Sequence, residues 1–209
     1  MLYILTWIFY EKSIKRSSDT LLEIASHQEL KGEVTYQRIL QVLGERAFGI
    51  VLLFFALPSA LPFSFIPGIS LIFSVPILLF AFQMVFARKT MWLPKIIAER
   101  TIHQETIAKF IHNTVPYLIK AEYFLKPRWL FMTSRFMEII HGIVIFFLAL
   151  LLMLPIPFSN FIFATLLIIF SLGLIEKDGL FLIIGYLGVM IYANFIYLFV
   201  LTAVKHLPG

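Results

Sequence analysis

The chain reads as an all-α, polytopic integral membrane protein with two proline-broken helical hairpins and a final full transmembrane helix. Three observations carry that reading. Of 209 residues, 60% are hydrophobic and 14% charged, with a mean hydropathy of +0.93, whereas soluble domains hold about 45–50% apolar residues. Two long stretches, Phe48 to Ala87 and Gly142 to Ile175, contain no Lys, Arg, Asp, Glu or His, and prolines break each of them near its middle. A third uncharged stretch, Gly179 to Val204, is uninterrupted. One domain is expected to divide as follows: residues 1–46 interfacial or cytoplasmic, then a membrane domain over 47–204. The latter comprises a hairpin over 47–87, a basic amphipathic linker over 88–138, a hairpin over 139–175 and a transmembrane helix over 179–204.

The first uncharged stretch is too long for one span, since about 20 residues cross a hydrocarbon core. Pro58, Pro62 and Pro67 each lack a backbone donor and Gly68 permits a left-handed turn, so the helix is expected to break between Leu57 and Gly68. Broken backbone survives at membrane depth only where protein or water covers its polar groups. Either the break lies at the far interface, or the hairpin is re-entrant and the break lines a cavity. The first limb, 47–57, reaches only about half-way across, which favours re-entrance. The second limb, 69–87, is long enough to cross.

The second stretch breaks over Leu154 to Asn160, at Pro155 and Pro157. Its form repeats the first: Gly49-Ile50-Val51 answers Gly142-Ile143-Val144, Pro62-Phe63-Ser64 answers Pro157-Phe158-Ser159, and Phe73-Ser74 answers Phe170-Ser171. The match reads as an internal repeat with small insertions. In transporters, sites lie between such broken helices. Glu176-Lys177-Asp178-Gly179 ends the second hairpin, and the span from Gly179 is long enough to cross with some tilt.

The charged residues fall into two blocks. Met1 to Tyr10 is too short to span and has no cleavage signature, so it reads as an interfacial anchor. Glu11 to Arg46 balances six basic against six acidic residues. There Ser18 or Asp19 is expected to cap a helix to about Leu30, and Thr35 a second that runs through Leu43. Arg88 to Glu138 carries nine Lys or Arg against four Glu, which places it in the cytoplasm by the positive-inside rule. Within it Pro94 opens one helix, Thr101-x-x-Gln104 resembles a capping box for another, and Pro116 to Leu125 makes a third element.

Composition also excludes classes. No stretch is left for a soluble catalytic domain, and the absence of Cys removes thiolate chemistry and disulfides. The net charge of +5 suits anionic lipid rather than nucleic acid, so membrane lipids are the expected partner. The five His show no metal-ligand spacing, and no phosphate loop or catalytic triad pattern occurs. Neither metal nor cofactor is expected.

Several short motifs occur in a telling order. Gly44-Glu45-Arg46-Ala47-Phe48-Gly49 is followed by Ala56-Leu57-Pro58, Pro62 and Pro67-Gly68, then by Gln83, Arg88, Trp92-Leu93-Pro94 and Pro127-Arg128. Pro155-Ile156-Pro157-Phe158 with Asn160, and Gly173 with Glu176-Lys177-Asp178-Gly179, close the series. In this order and spacing the chain resembles the ExoD family over about Ser18 to Val204. The resemblance implies a multi-pass bacterial inner-membrane protein linked to exopolysaccharide synthesis, with polysaccharide-synthesis proteins as candidate partners and no catalytic set to transfer. Ala87 and Ser159 stand where the family is expected to carry Gly.

The candidate site residues are the polar ones in or beside lipid, because burying them unpaired is costly. Glu45 and Arg46 stand where the first limb enters the membrane, as interfacial charges, as an ion pair or as a lipid-phosphate site. Gln83 serves either helix packing or substrate, Arg88 with Trp92 either anchoring or substrate, and Asn160 either caps a helix or meets a ligand. Glu176 and Asp178 form either a cytoplasmic turn or a buried proton-carrying pair. His141 reads as interfacial. Two functions stand: transport or binding of an anionic lipid-linked carrier or coupled ion, and a non-catalytic scaffold or regulator of a polysaccharide synthase. An enzyme using Glu176 or Asp178 as base has thin support.

Overall fold

The computed structural model describes residues 33–60, 69–88, 91–103, 123–154 and 159–205, with isolated positions between 104 and 122. These residues are mostly helical. Strand β1 (Glu33–Thr35) leads into α1 (Tyr36–Leu43), then come α2 (Arg46–Ser59), α3 (Ile69–Val85), a short α4 (Lys95–Ala98) and strand β2 (Thr101–His103). A 3₁₀ turn, Leu130–Thr133, precedes α5 (Arg135–Met153), α6 (Ser159–Glu176) and α7 (Gly179–Lys205). Helices α5, α6 and the Gly179–Leu198 part of α7 are long and apolar enough to cross a membrane. At 14 and 17 residues, α2 and α3 are shorter.

Local chemistry accounts for most helix ends. The Thr35 hydroxyl accepts from the Arg38 amide at 3.4 Å and caps α1, which ends at Leu43 before Gly44 in a left-handed conformation. Pro58 does not end α2. It lies in the last turn, and the Ala60 amide still reaches the Ala56 and Leu57 carbonyls; there proline removes one donor without stopping the turn ahead of it. Pro94 opens α4 as expected. Thr101 departs from expectation, because residues 101–103 are a strand. They pair antiparallel with Glu33–Thr35, with Val34 opposite Ile102, and so join the amino-terminal block to the linker. The expected helix over 18–30, the Pro62, Pro67, Gly68, Pro155 and Pro157 breaks and the element from Pro116 lie outside or mostly outside the described residues.

The pairs α2–α3 and α5–α6 cross-pack. Helix α2 lies chiefly against α6, and α3 against α5. Both contacts are antiparallel and close at a glycine, Gly49 in the first turn or so of α2 and Gly142 two turns into α5. Gly49 in α2 faces Ser171 and Ile175 of α6, and a methyl group there would stand 2.7 Å from Ile175 Cγ1 and 2.9 Å from the Ser171 oxygen. Gly142 in α5 faces Met84 and Val85 of α3, with the Val85 nitrogen 2.8 Å from the same point. Lipid tails are as apolar as the helices, so close van der Waals approach rather than hydrophobic burial holds such contacts, and small residues permit it. Ala47, Ala56, Ala81, Ala149 and Ala164, all fully buried, continue the seams. Helix α6 is the central element, 56% of its span buried, whereas α7 is 17% buried and lies outside it. A ladder of Gly173 on Leu182, Phe170 on Tyr186 and Phe163 on Tyr192 fixes α7 antiparallel to α6.

This arrangement sends α2 and α5 off from one end of the bundle and returns α3 and α6 to it. The last turns of α2 and α5 and the first turns of α3 and α6 therefore share the other end. Both returning helices stop on a residue with positive φ, Ala87 at 48° and Lys177 at 53°. The next amide turns back to the carbonyl five residues earlier, Arg88 to Gln83 at 3.4 Å and Asp178 to Gly173 at 2.9 Å, the bond of a Schellman closure.

Candidate functional site at the charged end of the helices

Four helix ends bring charged side chains together. Glu45, just ahead of α2, meets Lys177, just past α6, with Nζ 3.0 Å from Oε2. Glu138 in the first turn of α5 and Arg88 just past α3 line the same recess, with Phe48, Met84, Ala87, Thr133 and Leu174. Two carboxylates and two cations thus face a cavity of about 20 Å³, room for roughly one water. Arg135 adds a tie across the end: its guanidinium donates to the Ala87 carbonyl at 3.1 Å, at a point where α3 has left a carbonyl without a helical partner.

Asp178 has another task. It is fully buried, and its carboxylate accepts the Leu180 amide at 3.0 Å, which caps α7, and the Lys126 amide at 2.9 Å. Arg128 lies 3.6 Å from the same oxygen that Lys126 meets, and the Gly179 amide donates to the Arg128 carbonyl at 2.9 Å. The carboxylate therefore fastens the linker to the turn between α6 and α7, and these donors occupy its oxygens. Glu176, the last residue of α6, is buried beside it.

Gln83 is buried and copies a strand partner. Its Nε2 donates to the Trp92 carbonyl at 3.0 Å and its Oε1 accepts the Trp92 amide at 2.7 Å. Both ends of the amide are used in holding the segment after α3 against that helix. The result is a lateral groove of about 470 Å³ lined by Leu79, Phe82, Gln83, Phe86, Arg88 and Trp92. Arg88 lines both the groove and the small recess.

Of the residues singled out in the sequence, Glu45 and Arg88 share the recess, Gln83 and Arg88 share the groove, and Glu176 and Asp178 share the α6–α7 turn. Arg46 is half-buried in the first turn of α2. Asn160 is elsewhere: as the second residue of α6 it stands inside the helix rather than capping it, about 25 Å from the charged turn at 1.5 Å per residue. Beside it Ser159 pairs with the Tyr192 hydroxyl at 2.6 Å. Pro58 closes α2 toward that same far end.

Sequence reasoning missed Glu138 and Lys177. A signal for Glu138 existed, because it precedes Gly142 by four residues as Glu45 precedes Gly49. His141 is corrected: it is fully buried, with Nε2 2.8 Å from the Met132 carbonyl and Nδ1 2.5 Å from the Tyr186 hydroxyl. A carbonyl only accepts, so Nε2 carries a proton. The residue joins α5, the 3₁₀ turn and α7 rather than facing lipid headgroups. Among the described residues no three His, Cys, Asp or Glu side chains converge on a metal position.

Spanning-length apolar helices, with the charge of α2, α3, α5 and α6 gathered at one end, define a helical membrane protein with a polar cluster at that end. The family described as "Exopolysaccharide synthesis, ExoD" matches residues 17–198, and the chain belongs to the ExoD family. It is 31% identical to Protein ExoD of Rhizobium meliloti (strain 1021) over 174 residues, 81% of this chain and 71% of that one. It is also 34% identical to the uncharacterized protein slr1875 of Synechocystis sp. over 166 residues, 79% of this chain and 78% of its relative. No solved structure matches.

Proposed function

We propose that this protein serves exopolysaccharide synthesis by binding an anionic lipid-linked carrier at the charged end of its helices, on the cytoplasmic face of the bacterial inner membrane. One observation carries the reading: Glu45, Arg88, Glu138 and Lys177 meet at the end of α2, α3, α5 and α6 where the remaining charges of these helices, Arg46, Arg135 and Glu176, also lie. A ligand suited to that end has a charged head at the membrane surface and an apolar part in the bilayer. The family's description supplies the process.

The two helix pairs are read as copies of one unit. Gly49 and Gly142, each four residues after a Glu, make the same close approach, and Ala87 and Lys177 make the same closure. The second correspondence has an offset of 90 residues and the first 93, so Phe73-Ser74 and Phe170-Ser171, 97 apart, are not equivalent positions in this reading. Both copies start from the same end. Parallel copies support a one-sided site over an inverted repeat that alternates between faces.

The test is metabolic. Removing the gene is expected to lower secreted polymer and raise the membrane pool of lipid-linked saccharide, with nucleotide-sugar pools unchanged. A normal lipid-linked pool with exhausted nucleotide sugars would place the protein upstream of the carrier and end this reading.

A further inference from the structure

We infer that the groove beside α3 is a binding site for one single-chain isoprenoid phosphate, with the phosphate on Arg88 and the chain along the outer face of the helix. The inference deepens the proposed function and rests on it for the choice of ligand. Its geometry comes from α3 and the segment that follows it. Ile72, Val75, Leu79, Phe82 and Phe86 are all exposed, at 67, 49, 40, 52 and 63%, and their spacing of three or four residues puts them on one face. The stripe covers about 21 Å at 1.5 Å per residue. Its last part deepens into the groove, where Trp92 forms the opposite wall.

Two features make this more than a lipid-facing helix. The wall is built: Gln83 commits both ends of its buried amide to the Trp92 backbone, which fixes Trp92 where it lines the groove. The groove also ends in a charge. Arg88 is exposed, and among the described residues its guanidinium has no carboxylate within ion-pair distance. A guanidinium forks onto phosphate oxygens with two parallel hydrogen bonds, and aromatic walls suit an unsaturated, methyl-branched chain. The volume of about 470 Å³ lies within the range of small-molecule sites, roughly 300–1,000 Å³. One groove with one cation matches one chain with one phosphate, whereas a phospholipid brings two chains.

The experiment uses the full chain in nanodiscs of neutral lipid, with farnesyl phosphate as probe and Trp92 fluorescence as readout, and Trp92→Phe to identify the responding indole. Saturable quenching is expected, weakened at least tenfold in Arg88→Ala and less in Arg88→Lys, with farnesol weaker than its phosphate. Phe82→Ala and Phe86→Ala should weaken binding without changing the melting temperature of the empty protein. The inference is overturned if Arg88→Ala binds as wild type, if inorganic phosphate competes at equal concentration, or if phosphatidylglycerol competes mole for mole. Binding here with normal polymer in the deletion strain would leave the site and remove only its assignment to polysaccharide synthesis.

Discussion

Ala87 and Lys177 close α3 and α6 in the same left-handed conformation, at φ 48° and 53°, although neither is glycine. The closures need that conformation because the amide after each returns to a carbonyl five residues back. An L-residue with a Cβ holds it at a cost of about 1–2 kcal/mol. Tertiary contacts offset this: Arg135 holds the Ala87 carbonyl, and Lys177 reaches Glu45.

Ala87→Gly should therefore stabilise the protein by about 1 kcal/mol, since relief of strain exceeds the extra unfolded-state entropy of glycine. The check is thermal unfolding in detergent. A lower melting temperature would mean that the closure is not where the strain sits. Lys177→Gly should gain less, because it also gives up the contact with Glu45.

Asp178→Ala leaves the Lys126 and Leu180 amides without their acceptor in a buried turn. Each such donor costs about 1–3 kcal/mol, so a loss of about 3 kcal/mol is expected, with Asp178→Asn in between because an amide oxygen still caps α7. Limited proteolysis at the linker should quicken in step with the loss. Unchanged cleavage and melting in Asp178→Ala would show that the carboxylate does not fasten the linker.

The two glycine seams should differ in how they can be rescued. Gly142→Ala and Gly49→Ala each overpack a helix contact, at about 1–3 kcal/mol. The nearest atom to a methyl at Gly142 is the Val85 backbone nitrogen, whereas at Gly49 it is the Ile175 side chain. Ile175→Ala should then restore part of the stability lost in Gly49→Ala, and Met84→Ala little of that lost in Gly142→Ala. Equal rescue at both sites, read by melting temperature, would contradict the geometry.

Much of the helix layout was legible because its signals are local. Thr35 and Pro94 open helices wherever the rest of the chain lies, since capping and a fixed φ act within one turn. Thr101 misled for the same reason: its capping pattern is local, but its backbone bonds go to residues 33–35. Local sequence leaves Asp178 either in a surface turn or in a buried pair, and it puts His141 at the interface because of its position near a helix start. Their burial depends on Lys126 and Arg128 in one case and on Met132 and Tyr186 in the other.

The sequence by itself determined that the chain carries membrane-spanning helices, roughly where those helices run, and which family it belongs to, because hydropathy and local motifs are written residue by residue. Only the tertiary structure decided that α2 crosses to α6 and α3 to α5, and so that Glu45, Glu138, Arg88 and Lys177 share one end. The reason is physical. Helices α3, α6 and α7 are apolar on every side, so their periodicity marks no inner face. Which faces meet is settled instead by close approach at a few small residues, and that depends on the partner each of them finds.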